Sequence, residues 1–233
     1  MCGRMVLTRS AAEIVEGLKG LEGETGFEWP PRYNLAPSQD VLAIRSDPAG
    51  VRQWTRLRWG LIPSWAREAS VGHRMINARA ETVAEKPSFR TAFRKRRCLI
   101  AADGFYEWLR PAASGSRSRT PARPYFFRGK NGGGLMMAGL WESWTDQGTG
   151  ESIDSCTVLT TTANADVAPI HHRMPVLLER EGWSLWLDPL LADRSRLAPL
   201  LRPAVKDTLE SFEVGVHVNN PRHDAPDCIE PLV

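Results

Sequence analysis

The residues best suited to chemistry open the chain, in Met1-Cys2-Gly3-Arg4. If Met1 is removed, Cys2 carries an α-amine and a thiol on adjacent carbons. A thiolate is a strong nucleophile, and an amine with a pKa near ~8 can act as its base or attack a carbonyl itself. Arg4 adds a permanent positive charge for an anionic substrate. The alternative is that Cys2 is merely a small residue buried near a chain end.

Two further positions offer acid–base groups. Glu107 stands between aromatic residues, and burial there would raise its pKa toward the range of a general acid or base. On an exposed edge strand it would be an ordinary carboxylate. His171-His172-Arg173 places an imidazole beside a cation, which suits catalysis or anion binding. We expect no metal at the histidine pair, because adjacent residues of an extended chain point to opposite faces.

Aromatic and basic side chains suggest a nucleic acid as the anionic partner. Trp59 and Trp65 flank a segment broken by Gly and Pro, where an exposed indole would stack on a nucleobase and a buried one would fill the core. The densest positive run, from Arg90 to Arg97, is either a solvated face or a track for phosphates.

Composition indicates the number of domains and the general class of the protein. The chain has 233 residues, 42% of them hydrophobic and 24% charged, with a net charge of +3, which fits one mildly basic domain. The four cysteines are far apart and form no CxxC pair, so we expect free thiols instead of a zinc cage or disulfides. No apolar run is long enough to span a bilayer, and we expect a cytoplasmic protein.

The elements that must position these groups are mostly strands. Residues 4 to 8 predict a strand, and Ser10 with Glu13 has the spacing of a capping box that begins a helix. Helix-forming composition runs from 82 to 97, where Pro87 sets a kink or a second helix N-terminus, and two short helices are predicted over 181 to 203. A mobile loop is predicted over 111 to 123. Further strands are predicted at 41–44, 51–59, 98–102, 105–109, 125–128, 135–141, 156–161, 176–178 and 212–218.

Seven motifs in order resemble the SOS response-associated peptidase (SRAP) family over nearly the whole chain. They are Met-Cys-Gly-Arg at the start, Arg32-Tyr33-Asn34-Leu35-Ala36-Pro37, Trp59-Gly60-Leu61-Ile62-Pro63, Ile76-Asn77-Ala78-Arg79-Ala80-Glu81-Thr82, Ala102-Asp103-Gly104-Phe105-Tyr106-Glu107-Trp108, Ala138-Gly139-Leu140-Trp141 and His171-His172-Arg173-Met174-Pro175. The resemblance implies an α+β fold, in which residues 1–233 form a single compact domain with a β-rich, barrel-like core and peripheral helices.

The resemblance also implies a function. Such a protein senses abasic sites in single-stranded DNA and crosslinks itself to them, through a thiazolidine formed by Cys2 after Met1 removal, which is either autoproteolytic or due to an ordinary aminopeptidase. It implies no cofactor and no metal, a monomer, and a cytoplasmic protein that is nucleoid-associated when bound to DNA. The implied catalytic residues are Cys2, Asn77, Glu107 and His171, and the implied DNA-binding residues are Arg4, Pro37, Trp65, Arg79, Trp108 and Arg173.

Two alternatives and two departures accompany this interpretation. Met-Cys-Gly also begins glutamine amidotransferases of the N-terminal-nucleophile type, and a non-catalytic single-stranded DNA-binding module would use the tryptophans and the basic run without Cys2. His172 stands where the family usually places an acidic residue, which bears on the pKa and tautomer of His171. Residues 223 to 227 also depart from the family pattern.

Overall fold

Strands dominate the fold, as the sequence predicts. The computed structural model describes residues 2–10, 13, 28–111 and 121–232. In these ranges the strands are β1 Met5–Leu7, β2 Arg32–Leu35, β3 Asp40–Ser46, β4 Arg52–Trp59, β5 Asn77–Arg79, β6 Arg97–Ala102, β7 Gly104–Leu109, β8 Arg123–Gly129, β9 Leu135–Thr145, β10 Ser152–Thr162, β11 Arg173–Pro175 and β12 Leu209–Glu213.

Five strands close into a barrel. The order β10-β4-β3-β6-β9 returns to β10 through the β9–β10 hairpin, so each strand of the barrel has two neighbours. All these pairings are antiparallel except β4 with β10. Closure removes the free strand edges, and β6 is buried along its whole length. The predicted single domain with a β-rich, barrel-like core is therefore confirmed.

A second sheet, in the order β12-β8-β7-β1-β2, joins the chain start to the acid–base region. Met5 of β1 pairs with Phe105 of β7, and the Tyr106 amide donates to the Arg4 carbonyl at 3.0 Å. Because β1 and β7 are neighbours, Cys2 is carried to the part of β7 that holds Glu107. The sheet therefore brings together two groups that are about a hundred residues apart in sequence.

The helices are short and peripheral, namely α1 Arg90–Lys95, α2 Arg180–Leu187 and α3 Arg194–Leu197, the last continuing as a 3₁₀ turn, Ala198–Leu201. The two helices predicted over 181 to 203 are confirmed. In the stretch from 82 to 97 only Arg90–Lys95 is helical, which agrees with a helix N-terminus near Pro87 and not with a helix over the whole stretch. Residues 82 to 89 form turns, because Pro87 lacks an N–H and disfavours helical backbone at Lys86. No helix in the described part of the chain is long and apolar enough to cross a membrane.

Most predicted strands are confirmed, with two differences near the C-terminal half. β11 begins at Arg173, earlier than the predicted 176–178 strand, although Leu177 still makes a bridge to Met137. The predicted strand over 212 to 218 ends at Glu213, and Val216–Asn219 is a 3₁₀ helix. There the carbonyls of Val218 and Asn219 accept hydrogen bonds from the Arg4 guanidinium. A side chain, and not a neighbouring strand, therefore satisfies these backbone groups.

Two predictions fall partly or wholly on residues outside the described ranges. The capping box is present in its described members, since the Ser10 amide donates to the Glu13 carboxylate at 2.7 Å and the Glu13 amide donates to Ser10 Oγ at 3.2 Å. The helix that it would begin, and positions 112 to 120 of the predicted mobile loop, lie outside those ranges.

Candidate functional site

Cys2 is fully buried, and its backbone is held by a distant side chain. Asn77, the first residue of β5, donates from Nδ2 to the Cys2 carbonyl at 2.7 Å. Within the described residues, the buried Asn77 Oδ1 has no hydrogen-bond partner. Burial, with the field of Glu107 second, raises the pKa of the Cys2 thiol well above its usual value, which keeps the thiol protonated.

Glu107 is also buried, with only 2% of its surface exposed, which settles its two interpretations in favour of the buried one. Burial raises the pKa of its carboxyl group above the ordinary value of 4.5. The charge of Glu107 is felt by the Cys2 thiol, and Glu107 Oε1 lies 3.7 Å from Nδ1 of His171. Three titratable groups from separate parts of the chain therefore meet in one place.

His171 is oriented by the backbone of Arg173. His171 Nδ1 lies 3.0 Å from the Arg173 amide, which can donate to it, and 3.1 Å from the Arg173 carbonyl, which can accept from it, so the tautomer decides which contact is the hydrogen bond. Partial burial lowers the pKa of His171 and favours the neutral imidazole. The Arg173 backbone therefore orients the ring without the acidic neighbour that His172 replaces.

The expectation that His171 and His172 point to opposite faces is wrong. Their rings stack with centroids 4.4 Å apart, because the chain is not extended at this point. The His171 amide closes a turn with the Val167 carbonyl at 2.9 Å, and His172 lies at a bend. The charge of His171 lowers the pKa of the exposed His172. The cluster of potential metal ligands found among the described residues lies elsewhere and contains neither histidine.

The tryptophans and Arg79 separate clearly by exposure. Trp59 is a core residue whose indole donates to the Ile76 carbonyl at 2.9 Å, whereas Trp65 is 64% exposed. Arg79 is exposed at the end of β5, two residues after Asn77, and Pro37 is half-buried after β2. Of the two tryptophans in the 59–65 segment, Trp65 is therefore the one available for stacking.

Arg4 and Trp108 form one unit with the C-terminal loop. The Arg4 guanidinium donates to Asn34 Oδ1 at 2.7 Å and to the Val218 carbonyl at 2.6 Å, and it lies 6.0 Å from the Trp108 ring. The Trp108 indole donates to Asn219 Oδ1 at 2.7 Å. Burial lowers the pKa of Arg4. Both predicted DNA-binding side chains are thus fixed in position before any ligand arrives.

Arg173 is engaged within the protein. Its guanidinium makes a two-pronged ion pair with Glu81, at 2.7 and 3.0 Å, and donates to the Thr160 carbonyl at 2.5 Å. Only 10% of its side chain is exposed. Through these contacts Arg173 connects β11 to β10 and so fixes the neighbouring His171 backbone.

The basic run from Arg90 to Arg97 is not a uniform surface. Arg90, Arg94 and Lys95 are exposed, but Arg97 is buried and donates to the carbonyls of Trp186, Phe93 and Leu191, among others. Burial lowers the pKa of Arg97 to about 10. Arg97, at least, therefore connects α1 and α2 to the barrel and cannot contact phosphates.

Sequence reasoning gave no role to three residues that hold the site together. Buried Asn34 donates to the carbonyls of Val218, Asn220 and His223, and Asp224 accepts from the Tyr33 and Asn34 amides. Glu81 holds Arg173. All three act over long sequence separations, so no local pattern marks them, although Asn34 and Glu81 lie within the quoted motifs.

Known proteins resemble this chain over nearly its whole length. The family model described as SOS response associated peptidase (SRAP) matches residues 1–221. The abasic site processing protein YoqW of Bacillus subtilis is 40% identical over 230 residues, covering 99% of both chains. The abasic site processing protein HMCES of Mus musculus is 32% identical, covering 99% of this chain and 76% of that protein.

A solved structure supports the same assignment. The crystal structure of a protein from Bacteroides thetaiotaomicron superposes with a TM-score of 0.84 at 25% identity, covering all of both chains. A second, from Bordetella bronchiseptica, has a TM-score of 0.71 at 28% identity and covers 93% of this chain. Sequence motifs, family match and fold agree, and the chain belongs to the SOS response associated peptidase family.

Proposed function

We propose that this protein recognises abasic sites in single-stranded DNA and links itself to them covalently through Cys2. The observation that carries the proposal is the meeting of Cys2, Asn77, Glu107 and His171. The Asn77 amide holds the Cys2 backbone at 2.7 Å, the field of Glu107 reaches the Cys2 thiol, and Glu107 Oε1 lies 3.7 Å from His171 Nδ1. Two relatives that match this chain over 99% of its length are named for abasic-site processing.

The first bond would be made by the Cys2 amine. An abasic deoxyribose opens to an aldehyde, which the amine attacks to give a carbinolamine, and loss of water then gives an imine. Met1 must be removed first, because the Cys2 nitrogen otherwise forms part of a peptide bond. Asn77 fixes the Cys2 carbonyl, and its Oδ1, which has no partner among the described residues, could accept a hydrogen bond from the amine that Met1 removal creates.

The second bond would close the thiazolidine ring. The Cys2 sulfur loses its proton and adds to the carbon of the protonated imine, whose nitrogen keeps its proton as the N–H of the ring. The raised pKa of Glu107 keeps a proton available for the departing hydroxyl of the carbinolamine, and the resulting carboxylate can then accept the thiol proton. One buried carboxyl group thus serves as acid and base in successive steps.

His171 would act on the sugar. Its neutral imidazole, held by the Arg173 backbone, can exchange protons with the C1′ hydroxyl during ring opening and with the linkage during its reversal. Met1 removal is assigned either to this same group of residues or to an aminopeptidase, for which the small Cys2 is equally suitable.

Single-stranded DNA would lie across a surface of exposed and half-buried basic and aromatic residues. Arg79 and Arg4 supply positive charge, Trp65 and Trp108 supply aromatic faces, and Pro37 lines the edge. The Arg173 guanidinium reaches phosphate only if its pair with Glu81 opens, so its contribution to binding is the least direct.

Intact mass measurement tests the proposal. Purified protein is weighed before and after incubation with a single-stranded oligonucleotide that contains one abasic site. We expect loss of Met1 and a heat-stable gain of one oligonucleotide. Cys2→Ser retains the amine but cannot form the thiazolidine, so it should give only an adduct that requires borohydride for trapping.

The control DNA carries a tetrahydrofuran analogue of the abasic site, which has no aldehyde and should give no adduct. A retained Met1 with normal DNA binding and no adduct would favour the non-catalytic binding module. The amidotransferase alternative would require ammonia release from glutamine, and it fits poorly with a closed five-stranded barrel. An adduct that forms equally well with Cys2→Ala would refute the assignment of Cys2.

A further inference from the structure

Four potential metal ligands meet in the C-terminal loop, away from Glu107 and His171. They are His217, His223, Asp227 and Cys228, and one donor atom from each lies within 4.8 Å of all the others. His223 Nε2 is 2.8 Å from Asp227 Oδ1, and His217 Nε2 is 3.8 Å from Asp227 Oδ2. The Cys228 side chain is fully buried behind them.

The donor types define the class of metal. Two imidazoles, a carboxylate and a thiolate form a mixed nitrogen, oxygen and sulfur set, which suits Zn²⁺ and does not suit Mg²⁺ or Ca²⁺. Tetrahedral Zn²⁺ with bonds of about 2.0 to 2.3 Å separates its ligand atoms by roughly 3.3 to 3.8 Å. The observed separations range from 2.8 Å to at most 4.8 Å, and rotation of the half-buried His217, His223 and Asp227 side chains can bring them to these values.

The backbone around the cluster is fixed independently of any metal. The Cys228 amide donates to the Ala225 carbonyl at 3.0 Å, and the Tyr106 hydroxyl donates to the Cys228 carbonyl at 3.2 Å. The His223 carbonyl is held at 2.7 Å by the Asn34 amide group. The ligands therefore start from defined positions, which reduces the entropy lost when a metal binds.

The His217 ring lies directly against the backbone of Gly215. A Cβ atom added at Gly215 would stand 2.2 Å from His217 Cε1, much closer than any real contact. The absence of a side chain at this position is what admits the imidazole. Gly215 thus provides a way to disturb one ligand without removing it.

A simpler interpretation is an ion pair between His223 and Asp227 beside a core cysteine. That interpretation also covers His217, whose Nε2 lies 3.0 Å from the Asp227 carbonyl and whose ring centroid is 4.8 Å from that of His223. It does not account for the convergence of donor atoms from all four side chains, including the buried Cys228, within 4.8 Å of one another. Because the set contains a single cysteine and is spread over twelve residues, no cysteine pair marks it in the sequence.

We propose that His217, His223, Asp227 and Cys228 bind one Zn²⁺ ion. Binding displaces the Cys228 thiol proton to solvent and leaves a thiolate on the metal. The ion would join the two ends of the loop whose Val218 and Asn219 carbonyls hold Arg4. It would therefore stiffen the support of Arg4 and Trp108 without touching the reacting groups.

Cobalt titration tests the site directly. The Cys2→Ala chain is used, so that the N-terminal aminothiol cannot chelate metal, and it is freed of metal with EDTA. We expect one Co²⁺ per chain, with a thiolate-to-cobalt charge-transfer band and the visible bands of tetrahedral cobalt, all lost on adding one equivalent of Zn²⁺. Zn²⁺ should also raise the thermal midpoint of this chain.

Variants in the same background distinguish a site from adventitious binding. His223→Asn and Asp227→Asn should each weaken Co²⁺ binding at least tenfold, Cys228→Ser should abolish the charge-transfer band, and Gly215→Ala should weaken binding through His217. His73→Asn, at an exposed histidine elsewhere, is the matched control and should change nothing.

Two results would overturn the proposal. One is a folded Cys2→Ala chain without a charge-transfer band, and the other is binding that survives both His223→Asn and Asp227→Asn. If Cys228→Ser does not fold, those two half-buried positions still decide the question. Because Cys2 is absent throughout, the outcome is independent of the crosslinking proposal.

Discussion

His171 Nδ1 lies 3.7 Å from Glu107 Oε1, close enough for strong electrostatic coupling but longer than a hydrogen bond. Burial raises the pKa of the carboxyl group and lowers the pKa of the imidazole, so both shifts favour the neutral forms. A neutral acid and a neutral base side by side can each exchange a proton with a substrate without leaving a buried charge unpaired.

Replacing Glu107 by Gln should slow crosslinking by about 10²-fold, since a positioned general acid or base typically contributes that much or more. Gln keeps the size and polarity of the side chain but cannot supply or accept the proton. Single-turnover adduct formation measures the rate, and circular dichroism checks the fold. An unfolded variant would make Glu107 a structural residue, and an unchanged rate would remove it from the mechanism.

The same substitution should change the pH dependence of stability. The pKa of Glu107 is raised above 4.5 in the folded protein, so the folded state holds its proton at pH values where the unfolded state has lost it. Wild-type stability should therefore fall, relative to Glu107→Gln, as pH rises from about 4.5 through the folded pKa. Urea unfolding of both proteins at several pH values measures the difference. If the free energy of unfolding changed with pH in the same way in both proteins, the raised pKa of Glu107 would be contradicted.

Local patterns predicted the strands well, because alternation of apolar residues records which face of a strand is buried. The pairing of β3 with β4 follows from a turn that the sequence marks clearly at residues 47 to 50. Barrel closure by the parallel contact of β4 with β10 carries no local signal, since it joins residues about a hundred positions apart. The barrel-like core was predicted from the resemblance to the SRAP family and not from periodicity.

The candidate site was predictable in its reactive residues but not in its supports. Cys2, Glu107 and His171 stand out by chemical type, and the structure places them together. The engagement of Arg173 with Glu81 could not be inferred, because a guanidinium beside a histidine suits a phosphate equally well. The 3₁₀ turn at Val216–Asn219 was missed because its alternating valines match a strand, whereas Arg4 and Asn34 decide the backbone path.

Removing the Asn77 side chain should weaken the hold on Cys2. Asn77→Ala leaves the Cys2 carbonyl without its 2.7 Å donor, which should cost about 1 kcal/mol of unfolding free energy. Crosslinking should slow more than this loss of stability implies, because the amine loses its orientation. Adduct rates measured below the unfolding transition, together with DNA affinity on a tetrahydrofuran oligonucleotide, test this. Weaker affinity with an unchanged adduct rate would contradict it.

Arg79 and Arg173 should behave differently when each is changed to Ala. Arg79→Ala should weaken noncovalent binding to single-stranded DNA and reduce the slope of log affinity against log salt by about 0.7, the value for one phosphate contact. Arg173→Ala should instead cost about 2 kcal/mol of stability, because it breaks the pair with Glu81. Glu81→Gln is the matched variant and should reproduce part of that loss.

Salt-dependent fluorescence anisotropy and urea unfolding separate these two effects. A full salt slope in Arg79→Ala would exclude a phosphate contact at that residue. A stable Arg173→Ala with a reduced slope would show that the pair with Glu81 opens and that Arg173 does contact DNA. A wild-type affinity that is independent of salt would contradict the proposed DNA surface as a whole.

Trp65 should contribute to DNA binding and not to stability. With 64% of its surface exposed, its indole makes little contribution to the core, whereas stacking on one base is worth about 1 to 3 kcal/mol. Trp65→Ala should therefore weaken noncovalent binding by that amount and leave urea unfolding unchanged. Leu190→Ala, at an even more exposed apolar residue, serves as the control and should alter neither. Loss of stability without loss of affinity would assign Trp65 to packing, and the stacking surface would then reduce to Trp108.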